Sequence, residues 1–382
     1  MSGGAPAAPP GAAETGRFGT VIVVDWSGGN DRGPRPKADA IWAGMVRDGA
    51  PAEPLYLRHR QAAEAWLADT VAAERAEGRR VLAAFDFPFG FPAGFAAALT
   101  GTADPLALWD WFEREVEDTP DRNNRFDLAG RINARFPGVG PFWGNGLARD
   151  VPHLPRRGRA RTGHGLPERR AAEHRAPRAF PCWQLSGAGA VGSQAILGLP
   201  VLARLRRRFG AAAWPFEPTG GAGVALIEVW PSLIAEAVRA ATRPGDIRDA
   251  VQVRLLAGAL ARLSPGRLAA MLDVEAPEEG WILGLGHEAE LDAVARALPR
   301  DAAPASGPAA VPSVARDGAD PAGSTASSGP APGAPASAAA DPVAREAAIA
   351  DGGAGPMAPT DPPAADGPAA GTACRKPGAP KA

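Results

Sequence analysis

Thr20-Val21-Ile22-Val23-Val24-Asp25-Trp26-Ser27-Gly28-Gly29 decides how this chain is read. Five β-branched residues in a row run into an aspartate and then into turn residues. A short unbroken apolar run closed by turn formers is the pattern of a strand buried on both faces. The pattern recurs. Val81-Leu82-Ala83-Ala84-Phe85 ends at Asp86, and Val224-Ala225-Leu226-Ile227 ends at Glu228. A fourth acid, Asp249, opens a helical stretch, with Asp246 three residues before it. A carboxylate at the tip of a buried strand is rigidly held, and several tips can converge. Converging carboxylates repel one another, and the natural occupant between them is a hard cation such as Mg2+ or Mn2+. An enzyme is the expectation from this pattern.

Outward from the first strand the order continues. Ala40–Arg47 predicts a second strand, ending at the hairpin signal Asp48-Gly49, and Pro54–Leu57 a third. Gln61–Gly78 carries Ala62, Trp66, Leu67 and Val71 at helical spacing and closes on glycine. The Val81 strand follows. Hairpins would join the first three strands, and a crossover helix would bring the fourth alongside in parallel. Further helices are expected over Ala93–Leu99, Leu106–Val116, Asp127–Arg135, Pro200–Phe209, Ser232–Ala241, Asp246–Arg262 and Leu291–Leu298. Gly187-Ala188-Gly189-Ala190-Val191-Gly192 fits the dinucleotide pattern GxGxxG, but no buried strand leads into it, which argues against that role.

Composition bounds the rest. All ten Trp lie between Trp26 and Trp281, and the last of thirteen Phe is Phe216. Beyond Pro299 the chain turns to Ala, Pro, Gly and Ser without apolar periodicity, so a disordered tail over 300–382 is expected, with a similar N-terminus over 1–18. No membrane span and no secretory leader are expected, and two cysteines, one in the tail, build no thiolate zinc site. A reducing, cytoplasmic setting fits. Eight acidic and five basic residues fall from Asp301 onward, so the remainder is nearly neutral, and net charge does not argue for a polyanionic partner. Local charge does: Arg156, Arg157, Arg159 and Arg161 head an arginine-rich run that a nucleic-acid backbone would attract.

The segments Val23-Val24-Asp25-Trp26-Ser27-Gly28, Phe85-Asp86-Phe87-Pro88-Phe89-Gly90-Phe91-Pro92, Ile227-Glu228-Val229-Trp230-Pro231-Ser232 and Asp246-Ile247-Arg248-Asp249-Ala250 resemble a domain-of-unknown-function family expected to be RNase H-like nucleases. The resemblance covers about residues 19–265 and implies an α/β fold. Its mixed sheet would have three antiparallel strands, then parallel strands, flanked by helices. With the compositional boundary at Pro299, one such domain is expected over 19–299, with a large, mostly helical insertion at about 93–222. The resemblance implies a metal-dependent nuclease in which Asp25, Asp86, Glu228 and Asp249 are catalytic and, with Asp246, hold Mg2+ or Mn2+.

Each residue also has a plainer role. Asp commonly ends strands through its own backbone hydrogen bonds. After Pro244-Gly245, Asp246 is a good N-cap, and Asp249 would suit a helix's first turn. Glu228 could be the partner of a buried arginine, and the arginine run could be a solvated loop. Two alternative functions stand beside the nuclease. Asp25-Trp26-Ser27-Gly28-Gly29 is passably like the first phosphate turn of actin-like or sugar-kinase ATP-binding phosphotransferases, although Trp26 is bulky there. Chains similar to this one are also associated with molybdopterin-guanine-dinucleotide or cobalamin synthesis as accessory proteins.

Overall fold

In a computed structural model the protein is described over residues 17–299, apart from Arg32 and Pro34. The expected tail and nearly all of the expected N-terminal segment lie outside these residues.

Strands β1 (Thr20–Asp25), β2 (Ile41–Arg47), β3 (Ala50–Pro51), β4 (Leu55–Leu57), β5 (Val81–Phe85), β6 (Ala212–Ala213) and β7 (Val224–Glu228) form one mixed sheet. Its order is β3-β2-β1-β5-β7-β6, with β4 also on β2. β2 runs antiparallel to β1, and β3 and β4 antiparallel to β2. Helix α1 (Arg60–Ala76) then crosses over and returns the chain in β5, parallel to β1, and β7 and β6 continue parallel. The mixed α/β sheet expected from the sequence is therefore present; the expected third strand is β4, and the two-residue strands β3 and β6 are added to it.

Both faces of the sheet are covered, which is why its central strands are apolar throughout. Ile22, Val24, Ala83, Phe85 and Leu226 point into one core. That core is shared with α1 and with α2 (Phe95–Thr100), α3 (Pro105–Glu115), α4 (Arg125–Asn133) and α6 (Val191–Phe209). Val21, Val23, Leu82, Ala84 and Ile227 point into the other core. There they meet α7 (Ala235–Ala241), α8 (Arg248–Arg262), α9 (Pro265–Leu272) and α10 (Glu288–Arg296). The short α5 (Ala171–Arg175) completes the set. Period-2 alternation along each strand divides the residues between the layers. Among the described residues no helix is long and apolar enough to cross a membrane.

Two segments fix the end of the sheet where the acids lie. After β5, Phe87, Phe89 and Phe91 are buried together with Phe85; Phe85, Phe87 and Phe89 lie within 6.3 Å of one another, Trp26 packs on the first two, and Phe91 packs on Phe95 at 4.6 Å. Burying a phenylalanine contributes on the order of 2 kcal/mol, so this segment is strongly pinned around Asp86. After β1, the buried guanidinium of Arg60 donates to the carbonyls of Ser27 and Gly29 while its other nitrogens grip Asp118 at 2.6 Å. Gly28 lies so close to α6 that a Cβ there would stand 2.8 Å from that of Ser193.

Candidate active site

Register brings two of the acids side by side. Val24 pairs with Phe85 in the parallel β1–β5 ladder, and the N–H of Asp86 donates to the carbonyl of Val24 at 3.0 Å. Asp25 and Asp86 are thus the adjoining last steps of adjacent parallel strands, about 4.8 Å apart along the sheet. α8 lies across β1 and β2 and delivers Asp249 from its first turn. One Asp249 oxygen accepts the backbone N–H of Asp39 at 2.8 Å.

Asp25 and Asp86 both feel the charge of Asp249, and Asp25 also that of Asp86. Asp25 and Asp86 keep a partly exposed edge, yet protein crowds their carboxyl groups. Asp25 is pushed well above the ordinary carboxylate range, first by burial and then by repulsion from Asp86, Asp249 and Asp39. Asp86 is pushed up to about 7, first by burial and then by Glu228 and Asp249. Asp249 is also raised, by burial, with Asp39 adding repulsion and its N–H opposing it. Burial and neighbouring like charges both favour the protonated form of a carboxyl group.

Asp39 is the acid that the sequence reading missed. It precedes β2, whose start lies beside the end of β1 because the two are antiparallel and Asp25 pairs with Trp42. That placement was the available signal. Asp39 holds a left-handed φ of 55°, and its carbonyl accepts the hydroxyl of Ser27.

Glu228 is placed differently. It pairs with Phe85 in the β5–β7 ladder, next to the site, but both of its oxygens are engaged. Arg170 donates to them at 2.6 and 2.9 Å, and the N–H of Phe89 donates at 2.9 Å. The buried arginine partner is what the structure provides, and it neutralises the carboxylate and, with the Phe89 amide, takes three of its accepting positions. Asp246 is not brought in either. It is exposed and caps its own turn, accepting the N–H of Arg243 at 2.8 Å, one turn outside the helix that carries Asp249.

The four arginines divide. Arg156 donates to the carbonyls of Asn145, Leu147, Ala148 and Arg149 and to Asp150. Arg161 is nearly buried, bidentate to Glu168 at 2.8 and 2.9 Å and donating to the Pro141 carbonyl. Both hold their own loop together. Arg157 and Arg159 are exposed. Arg248 eases the charge on Asp249, and Lys37, two residues before Asp39, lies 3.4 Å from Asp31.

Asp25, Asp86 and Asp249 offer only anionic oxygen, which in donor chemistry suits Mg2+ or Mn2+. Their side chains are not drawn in: among the described residues no three of His, Cys, Asp and Glu are gathered closely enough to hold a metal ion as they stand. In the turn after Asp25, Gly28 serves the close approach of α6, and the N–H of Gly29 is taken by the Ser27 hydroxyl at 3.1 Å. The glycine-rich Gly187–Gly192 segment leads into α6 without a strand before it. No family model, curated protein or solved structure matches this chain.

Proposed function

We propose that the chain is a divalent-metal-dependent phosphodiesterase of RNase H-like architecture acting on nucleic acid, with Asp25, Asp86 and Asp249 as its ion-binding residues. The observation that carries this reading is the adjacency of Asp25 and Asp86 on parallel strands under Asp249, with all three carboxyls raised by burial and crowding. The strand order, an antiparallel edge followed by parallel strands, is the order that the resemblance implies. The stretch between β5 and β7 is rich in helix, which supports the insertion that the resemblance implies.

Bound Mg2+ or Mn2+ would activate a water and neutralise charge at the scissile phosphate. The protein's own part is to hold the oxygens. Asp25 is fixed by its strand, Asp86 by its strand and the phenylalanines after it, and Asp249 by α8 and the Asp39 amide. Arg248 supplies positive charge beside Asp249, where a phosphate backbone would need it. Of the sequence alternatives, the phosphate-turn reading has less support, because Gly28 and Gly29 are engaged within the fold.

The test is cleavage of labelled single- and double-stranded DNA and RNA by the full chain with Mn2+ or Mg2+, alongside calorimetric titration of each ion. Hydrolysis dependent on the ion and lost in Asp25→Asn is expected. Ion binding and cleavage by Asp25→Asn equal to wild type would overturn the proposal, as would the absence of both in wild type.

A further inference from the structure

Glu228, Arg170 and Glu173 form a buried polar network beside Asp86, which reaches the partly exposed Glu279. Arg170 and Glu173 are each 1% exposed and Glu228 is 2% exposed. Besides its two bonds to Glu228, Arg170 donates from Nε to Glu173 at 2.7 Å and from Nη1 to the carbonyl of Glu279 at 3.0 Å. Glu279 in turn accepts the N–H of Ala93 at 2.8 Å and that of Ala171 at 2.7 Å. A Cβ on Gly90 would stand 2.5 Å from the Glu279 carbonyl, so the backbones touch.

The chain after Asp86 is therefore bracketed. Asp86 itself donates to Val24, the carbonyl of Phe85 accepts the N–H of Val229 at 2.9 Å, and Phe89 donates to Glu228. Farther on, Ala93 is tied to Glu279. A buried ion pair adds little net stability over an apolar pair of similar size, because desolvation offsets its attraction. What it supplies is a fixed direction for its donors and acceptors. Here that direction sets where the Asp86 segment leaves the sheet.

We infer that Arg170 and Glu228 are positioning residues for Asp86: Arg170 orients the Glu228 carboxylate, and Glu228 anchors the Asp86–Phe89 segment through the Phe89 amide instead of holding an ion. The inference rests on the reading of Asp86 as an ion ligand only for its effect on metal affinity; the anchoring stands without it.

The experiment compares wild type with Arg170→Lys, Glu228→Gln and the charge-free triple variant Arg170→Met/Glu173→Gln/Glu228→Met. The triple variant guards against misfolding, since it leaves no buried charge unpaired. Mn2+ affinity is read by electron paramagnetic resonance, and the backbone is read by amide exchange at Asp86 and Phe89 against Val23 as a remote strand reference. The triple variant should melt near wild type, bind Mn2+ about tenfold or more weakly, and exchange the Asp86 amide about tenfold faster with Val23 unchanged. A folded triple variant with wild-type Mn2+ affinity and wild-type Asp86 exchange would overturn the inference. If wild type binds no Mn2+, the proposed activity fails, and the exchange rates still decide whether the pair positions Asp86.

Discussion

Asp249 accepts the backbone N–H of Asp39 at 2.8 Å while the Asp39 carboxyl adds to the repulsion on it. One residue thus anchors α8 with its backbone and opposes it with its side chain. Asp39→Asn keeps the amide and tolerates the left-handed φ of 55°. It should stabilise the metal-free protein by about 0.5 kcal/mol at neutral pH, within the range of a partly screened like-charge contact. Asp39→Val, β-branched and poorly suited to that φ, should destabilise by about 1–2 kcal/mol. Urea unfolding of the pair checks both. A loss of stability in Asp39→Asn would mean that its carboxylate does more than repel.

Burial of Asp86, with the repulsion of Glu228 and Asp249 added, also fixes a pH dependence. Asp86 titrates at about 7 in the folded chain, against about 3.9 when unfolded. Its folded value is raised, so between these points the folded state holds the proton more tightly than the unfolded state. Its contribution to stability therefore falls as pH rises from about 4 to about 7, then levels off. Asp86→Asn should remove that loss and raise the melting temperature at pH 8 by several degrees, corresponding to about 1–3 kcal/mol, with little gain at pH 4. Mn2+ should protect wild type at pH 8 and far less at pH 5.5, where the proton competes, and should not protect Asp86→Asn. Equal melting temperatures for wild type and Asp86→Asn across this range would show that Asp86 is not crowded as described.

The sheet and three of its carboxylate tips were legible because buried central strands leave an unmistakable apolar run, and the acid that ends each run is local to it. Helix α6 was read only from Pro200 onward, whereas it begins at Val191 and carries that proline inside. Proline usually opens a helix, and only the packing of α6 against Gly28 and Phe87 shows otherwise. The engagement of Glu228 depends on an arginine 58 residues away in a loop-rich region. No periodicity points to that partner. Asp39 was recoverable by asking which residue starts the strand antiparallel to the one ending at Asp25.

The arginine run shows the same limit with a measurable consequence. An arginine that binds loop carbonyls and one that faces solvent look alike in sequence. Arg156→Ala should cost about 0.5–1.5 kcal/mol, because five acceptors exchange its guanidinium for water. Arg157→Ala and Arg159→Ala should leave the melting temperature within about a degree, as exposed substitutions do. Fluorescence anisotropy with a DNA oligonucleotide would then separate stability from binding. Arg248→Ala, beside Asp249, should reduce the salt slope by about one, as the loss of a phosphate contact does. An unchanged slope in Arg248→Ala, with a reduced one in Arg157→Ala and Arg159→Ala, would move the nucleic-acid surface back to the arginine-rich loop.

Helix α8 sits on the sheet through a glycine. A Cβ on Gly44 of β2 would stand 2.4 Å from the carbonyl of Val253, a backbone atom with no rotamer to give. Gly44 pairs with Val23, so the contact lies over the centre of the sheet, and Val253 is one helical turn from Asp249. Gly44→Ala must therefore lift α8, and the lift acts directly on Asp249. Overpacking of this kind costs about 1–3 kcal/mol. The stability loss should come with a drop in Mn2+ affinity of about tenfold, the scale on which misplaced supporting groups weaken a metal site. Gly78→Ala offers the control: its φ of 75° strains an alanine, yet nothing lies within 4 Å, so it should lose stability and keep its affinity. If Gly44→Ala and Gly78→Ala bind Mn2+ equally well at matched folded fraction, the seat of α8 does not govern where Asp249 meets Asp25.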